Sequence, residues 1–154
     1  MKIAAGHAHV LAVTKSGAVV AWGANSSGQC SIPVGLVNVV AVAAGRAHSL
    51  ALTQSGDVVA WGNNFSNQCN IPPELHDIVQ VAAGYFYSLA LTQGGSVVVW
   101  GAYTALPTKF TDINDMIQIA AFDNNLIALR RDGTVVQGYF GDPTDVPLDI
   151  RATI

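Results

Sequence analysis

The chain has 154 residues, 51% of them apolar and 11% charged, with a formal net charge of −3. That length suits one domain and that apolar share supplies a core, which excludes a disordered chain. With 7 Lys and Arg against 10 Asp and Glu, it lacks the basic excess of a nucleic-acid binder that neutralises phosphates.

Read from its start, the chain opens on Met1-Lys2-Ile3-Ala4-Ala5-Gly6 with no apolar h-region, so no secretory signal is expected. A cytoplasmic location follows for a complete gene product, and a secreted one fits if the chain is a fragment. Gly, Asn, Ser, Thr and Gln interrupt every apolar run, so no membrane span is expected. Charge is uneven: residues 1–56 hold three cations and no acid, whereas residues 57–154 hold four cations and ten acids, giving +3 and −6.

The chain repeats itself. The phrase from Ala5 to Thr14 returns from Ala44 to Thr53 and from Ala83 to Thr92, a period of 39 residues. Ser16-Gly17, Ser55-Gly56 and Gly94-Gly95 keep that spacing, and so do Trp22-Gly23, Trp61-Gly62 and Trp100-Gly101. A worn fourth copy runs from Ala121 to Leu129, continues with Asp132-Gly133, and has Gln137-Gly138 where Trp-Gly is expected. The repeats are approximately 1–38, 39–77, 78–115 and 116–154.

Within one unit, Val39 to Ala44 reads as a buried strand and Ser49 to Thr53 as a second. Gln54-Ser55-Gly56 reads as a hairpin turn in which glycine takes a positive φ, leading to a third strand from Asp57 to Trp61. A weak fourth strand is expected through Cys69-Asn70-Ile71, stopped by Pro72. No segment has a helical period. The class is therefore all-β: about four antiparallel blades of a β-propeller, each burying its faces on the next, with solenoid stacking as the alternative.

Val-Val-Ala-Trp-Gly at 58–62, Gly-Gln-Cys-Ser-Ile-Pro at 28–33 and Ala-Ala-Gly-x-x-His-Ser-Leu-Ala-Leu at 43–52 resemble the short bacterial form of the regulator of chromosome condensation repeat. The likeness spans nearly the whole chain. The repeats are also similar to those of the beta-lactamase inhibitory protein II family, seven-bladed propellers that dock one face on a target. The resemblance implies about seven blades where this chain has four. Residues 149–154 look like a spare first strand, counterpart of residues 38–43. Part of a ring, completed by self-association of oppositely charged terminal blades, is expected.

The loops entering the second strand and leaving the third share one face. They gather His7, Arg46, Tyr85, Phe86, Asp123 and Asn124 from one set, and Asn25, Asn64, Phe65, Tyr103, Tyr139 and Phe140 from the other. These positions vary between repeats while the strands do not. Aromatics and arginine anchor protein interfaces, so Arg46, Phe65, Tyr85, Phe86, Tyr103, Tyr139 and Phe140 form the expected binding set.

Catalytic and metal readings fare worse. His9 and His48 share the position of Tyr87 and Asn125, which predicts a polar group bonded to backbone of its own or the next blade. Ser49 follows His48, but strand neighbours point to opposite faces, so they form no pair. His7 and His9 have no third metal ligand nearby, His76 reads as a solvated loop residue, and Asp142 and Asp145 read as a polar turn. Cys30 and Cys69, equivalent in adjacent repeats, are expected to be free thiols. The three tryptophans read as blade packing.

The expected function is non-enzymatic protein binding through the loop face, with no cofactor or metal. Inhibition of a secreted enzyme such as a beta-lactamase, carbohydrate binding and guanine-nucleotide exchange are the alternatives.

Overall fold

The structure is a computed structural model that describes residues 2–103, 105, 110, 113–140 and 150–151. Asp142 and Asp145 lie outside the described residues. Apolar runs broken by Thr-x-x-Gly turns, Arg130-x-x-Gly133 in the last, fold into four antiparallel sheets, each one blade. Blade 1 is β1 (Lys2–Ala5), β2 (His9–Val13) and β3 (Val19–Gly23). Blade 2 is β4 (Val39–Ala44), β5 (His48–Thr53) and β6 (Val58–Gly62), and blade 3 is β7 (Ile78–Ala83), β8 (Tyr87–Thr92) and β9 (Val97–Gly101). Blade 4 is β10 (Met116–Phe122), β11 (Asn125–Arg130), β12 (Thr134–Tyr139) and β13 (Ile150–Arg151).

The first strand of each blade lies against the first strand of the next, so β1, β4, β7 and β10 line the inside of an arc. Gly17, Gly56, Gly95 and Gly133 turn the hairpins with φ between 77° and 87°, as the repeated glycine requires.

Two expectations are corrected. Cys69-Asn70-Ile71 is not a strand, because Asn64 draws the segment into a turn: its Oδ1 accepts from the Cys69 N–H at 2.9 Å and its Nδ2 donates to Asn70 Oδ1 at 2.8 Å. The C-terminal strand β13, expected as a spare first strand, is placed otherwise. It pairs with β12, through Thr134↔Arg151 and Val135↔Ile150, as a fourth strand of its own blade.

Burial follows position in the arc. Strands β5 and β8 sit in middle blades and are buried from His48 to Leu52 and from Tyr87 to Leu91. Strands β2 and β11, in the end blades, alternate, since only one of their faces is covered. Three apolar clusters fill the joints, one around Leu11, Val13, Val39 and Trp61, one around Leu50, Leu52, Ile78 and Trp100, one around Leu89, Leu91, Ile119 and Leu126.

The third joint also has an amide clamp. Gln80 Nε2 donates to the Ile119 carbonyl at 2.7 Å and its Oε1 accepts from the Ile119 N–H at 2.9 Å, so one side chain satisfies both backbone groups of a strand residue. Gln80→Ala is expected to destabilise the chain by about 1–3 kcal/mol, because both groups lose their partner. Urea unfolding followed by circular dichroism measures this, and a loss near zero would mean that water replaces the clamp.

Candidate functional site

Each of the first two joints is built around a histidine. His9 Nε2 lies 3.0 Å from Ser49 Oγ of the next blade, and His48 Nε2 lies 3.0 Å from Ser88 Oγ. The two serine hydroxyls donate onward to the carbonyls of Gln29 and Gln68, both at 2.8 Å, so each accepts the histidine's Nε2–H. The same two carbonyls accept the indole N–H of Trp61 and Trp100 at 2.9 Å. Tryptophan therefore packs between blades, as its repeat position suggested, and also ties each blade to the preceding loop.

To the expected backbone partner, which is His48 for His9 and Tyr87 for His48, the histidines add a bond to a serine side chain of the next blade. The backbone bond also holds for Tyr87, whose hydroxyl donates to the Asn125 carbonyl at 2.6 Å. Strand alternation does separate His48 from Ser49. The histidine–serine pairs instead join residues 40 apart, a spacing visible only once the repeats are stacked.

These pairs are not a nucleophile with its base. Each serine proton is committed to a carbonyl, both partners are buried, and His9 Nδ1 and His48 Nδ1 have no hydrogen-bond partner where a triad would place an acid. Burial, then repulsion from a charged His9, lowers the His48 pKa to about 4 against the opposing pull of the Tyr87 backbone, so the ring is neutral at pH 7. Burial lowers His9 too. The Ala-Gly-x-x-His spacing follows from the same geometry. A Cβ at Gly45 would collide with the His48 ring and with the Gly84 carbonyl of the next blade.

The third joint replaces this polar set with an apolar one. Tyr87 stands at the histidine position and Leu126 at the serine position, both fully buried. Tyr103 stacks on Phe140, centroids 4.6 Å apart, and Phe140 lies 4.7 Å from the Tyr87 ring. Tyr103 and Phe140, expected on the exposed face, are thus placed inside a joint, with Phe140 buried. Burial first, then the nearby Tyr103 and Asp123, raises the Tyr87 pKa. The Trp-Gly position of the fourth repeat is also corrected. His48 pairs with Gly62 and Asn125 with Tyr139, so Gly138, not Gln137, takes the tryptophan position, at the same 13-residue spacing that separates His48 from Trp61.

The inner mouth of the arc gathers the remaining residues. Arg46 places Cζ 5.4 Å from the Tyr85 ring centroid and 5.5 Å from that of Phe86, within cation–π range. Tyr85 meets His7, Phe86 and Phe122 edge to face, at 6.1, 6.1 and 6.3 Å. Backbone bonds from Tyr85 N to Asp123 O at 2.9 Å and from His7 N to Gly45 O at 3.3 Å hold the loops of successive blades together. They bound a cavity of about 220 Å³ lined by His7, Arg46, Tyr85, Phe122 and the repeat glycines. Phe122 was not among the expected residues. Its signal was an aromatic at the register of Gly6, Gly45 and Gly84.

Outside the mouth, Phe65 is 97% exposed on the loop after β6, and Tyr139 is half exposed on β12. Asn25 and Asn64 brace their own loops by accepting the N–H of Cys30 and Cys69, both at 2.9 Å. Cys30 and Cys69 are free, and burial pushes the Cys69 thiol up to about 11, which leaves it unreactive at neutral pH. His76 is exposed, with Nδ1 2.8 Å from Asp77 Oδ2. Among the described residues no three His, Cys, Asp or Glu converge as a metal site, and no helix is long and apolar enough to cross a membrane.

Antiparallel blades with their first strands inward and a loop-lined mouth define a repeat protein of the β-propeller class. The regulator of chromosome condensation (RCC1) repeat matches residues 2–29, 39–68 and 78–102, and the chain belongs to that family. No curated protein sequence matches the chain significantly.

Solved structures show the same fold. Prp20p from Saccharomyces cerevisiae, described with its binding properties to Gsp1p and histones, is similar at 23% identity over 98% of this chain and 50% of its own, TM-score 0.78. Human WBSCR16 is similar at 24% identity over 90% of this chain and 48% of its own, TM-score 0.74. The CRINKLY ectodomain of the Arabidopsis thaliana receptor kinase ACR4 is similar at 23% identity, over 96% and 52%, TM-score 0.72. The chain spans about half the length of these proteins.

Proposed function

We propose that the chain is a non-enzymatic protein-binding module whose partner docks on the inner mouth. The observation that carries this reading is the cluster of Arg46, Tyr85 and Phe86, joined by His7 and Phe122 at the rim of one cavity. Arg46 and Phe86 are exposed, unlike the buried His, Ser and Trp groups that serve the joints. Aromatics held rigid by a scaffold and stacked with arginine bury a large area at small entropy cost, which is the chemistry of an interface hot spot. The yeast RCC1 protein of this fold, solved bound to Kap60, lends support by analogy.

Capture from the native host followed by mass spectrometry identifies the partner, and the variant Arg46→Ala/Tyr85→Ala/Phe86→Ala then tests the face. Its affinity is expected to fall about 100-fold or more, with the melting temperature little changed. Phe65→Ala, on the outer loop, is expected to weaken binding less. A triple variant that bound as tightly as the unaltered chain would move the site elsewhere.

A further inference from the structure

The three joints of the arc share one apolar packing plan, and blades 1 and 4 each display one half of it. On the side that meets a preceding blade, Trp61 and Trp100 are 7% and 5% exposed, but Trp22 is 52% exposed. Ile3, at the position of the buried Val81 and Ile119, is likewise open to solvent. On the side that meets a following blade, Leu11, Leu50 and Leu89 are fully buried, but Ile127 is 41% exposed. Gln118, at the position of the clamping Gln80, is exposed as well.

We propose that these two half-joints mate between two copies of the chain, head to tail, so that blade 4 of each copy seats on blade 1 of the other and two arcs close one ring. The register supports the fit. Ile119, which Gln80 clamps, pairs with Ala128, and Ile3 pairs with the equivalent Ala12. The amide of Gln118 therefore has a matching backbone N–H and C=O at Ile3 of the second copy. Ile127 would cover Ala12 and Trp22, as Leu50 covers Ala90 and Trp100 within the chain.

The polar groups match too. Blade 1 has Val10 where Ser49 and Ser88 receive a histidine, and blade 4 has Asn125, whose Oδ1 already accepts from Gln137 Nε2 at 3.3 Å, where that histidine would be. The new joint is thus apolar, like the third one, and leaves no histidine seeking a hydroxyl. A +3 first segment meeting a −6 remainder adds favourable steering. Two copies of four blades supply eight, one more than the seven the resemblance implies and within the four to eight of known propellers. A head-to-tail contact of this kind closes only when its rotations sum to a full turn.

Light scattering coupled to size exclusion, run on the chain over a wide concentration range, tests this. The expected mass is twice 16.0 kDa, and Trp22 emission shifts to shorter wavelength as the dimer forms. Ile127→Asp should give the mass of one chain with an unchanged circular dichroism spectrum. Gln118→Ala, a milder change on an exposed residue, should weaken the dimer about tenfold. One-chain mass at every concentration overturns the proposal, as it would if blades of a longer polypeptide cover these faces. An open series of larger assemblies overturns ring closure, and a dimer that survives Ile127→Asp and Gln118→Ala places the contact elsewhere.

Discussion

Trp100→Ala is expected to cost about 3–5 kcal/mol of folding stability, while Trp22→Ala costs less than about 1 kcal/mol in the dissociated chain. The two residues share a repeat position and a strand type, so sequence context cannot separate them. The difference is what covers them. Trp100 is packed among Ala43, Leu50, Leu52 and Ala90, and its indole N–H donates to the Gln68 carbonyl at 2.9 Å. Its removal leaves a cavity and takes one donor from that carbonyl, which Ser88 still contacts at 2.8 Å. Trp22 is 52% exposed, with no blade of the described residues packed over it, and loses little that water does not replace. Urea unfolding followed by far-ultraviolet circular dichroism measures both, and equal losses would mean that Trp22 is covered in the single chain.

Acid is expected to weaken the fold through His48. Its pKa is lowered from 6.5 to about 4 in the folded chain, so between those values the unfolded chain binds a proton that the folded chain refuses. Stability therefore rises with pH across this window: it is fully present above 6.5 and is lost as pH falls toward 4, by roughly 3 kcal/mol for a shift of this size. Protonation would place a charge in a fully buried joint between Ser88 and the Tyr87 backbone. His48→Asn, the residue type that stands at the same position as Asn125, is expected to lower the melting temperature at pH 7, because Ser88 loses its donor. It should also shrink the further loss between pH 7 and pH 4. If the variant and the unaltered chain lost the same amount on acidification, His48 would not be the sensor.

The strand plan was legible because its signals are local. Alternation and glycine turns act over a few residues, and they placed β4 to β6 within a residue of their observed bounds. Where the signal was a single side chain, it misled. Asn64 folds its loop away from a strand at Cys69 to Ile71, and the glycine of Gln137-Gly138, matched to that of Trp-Gly, stands at the tryptophan position itself. Part of the mouth was legible too, since Arg46, Tyr85 and Phe86 interrupt the repeat in neighbouring loops.

By itself, the sequence determined that the chain is an array of equivalent blades with variable loops, since a 39-residue period survives in the strands and turns of the first three repeats. Only the tertiary structure decided which equivalent residues differ in fate. Trp22 and Trp100, or Leu50 and Ile127, are alike within their own blades and unlike in what lies on the next one. His48 reaches Ser88 across a joint, 40 residues away in sequence, and Tyr103 leaves the exposed face for a stack with Phe140. Such contacts depend on how blades stack, and stacking is a property of the array that no single repeat encodes.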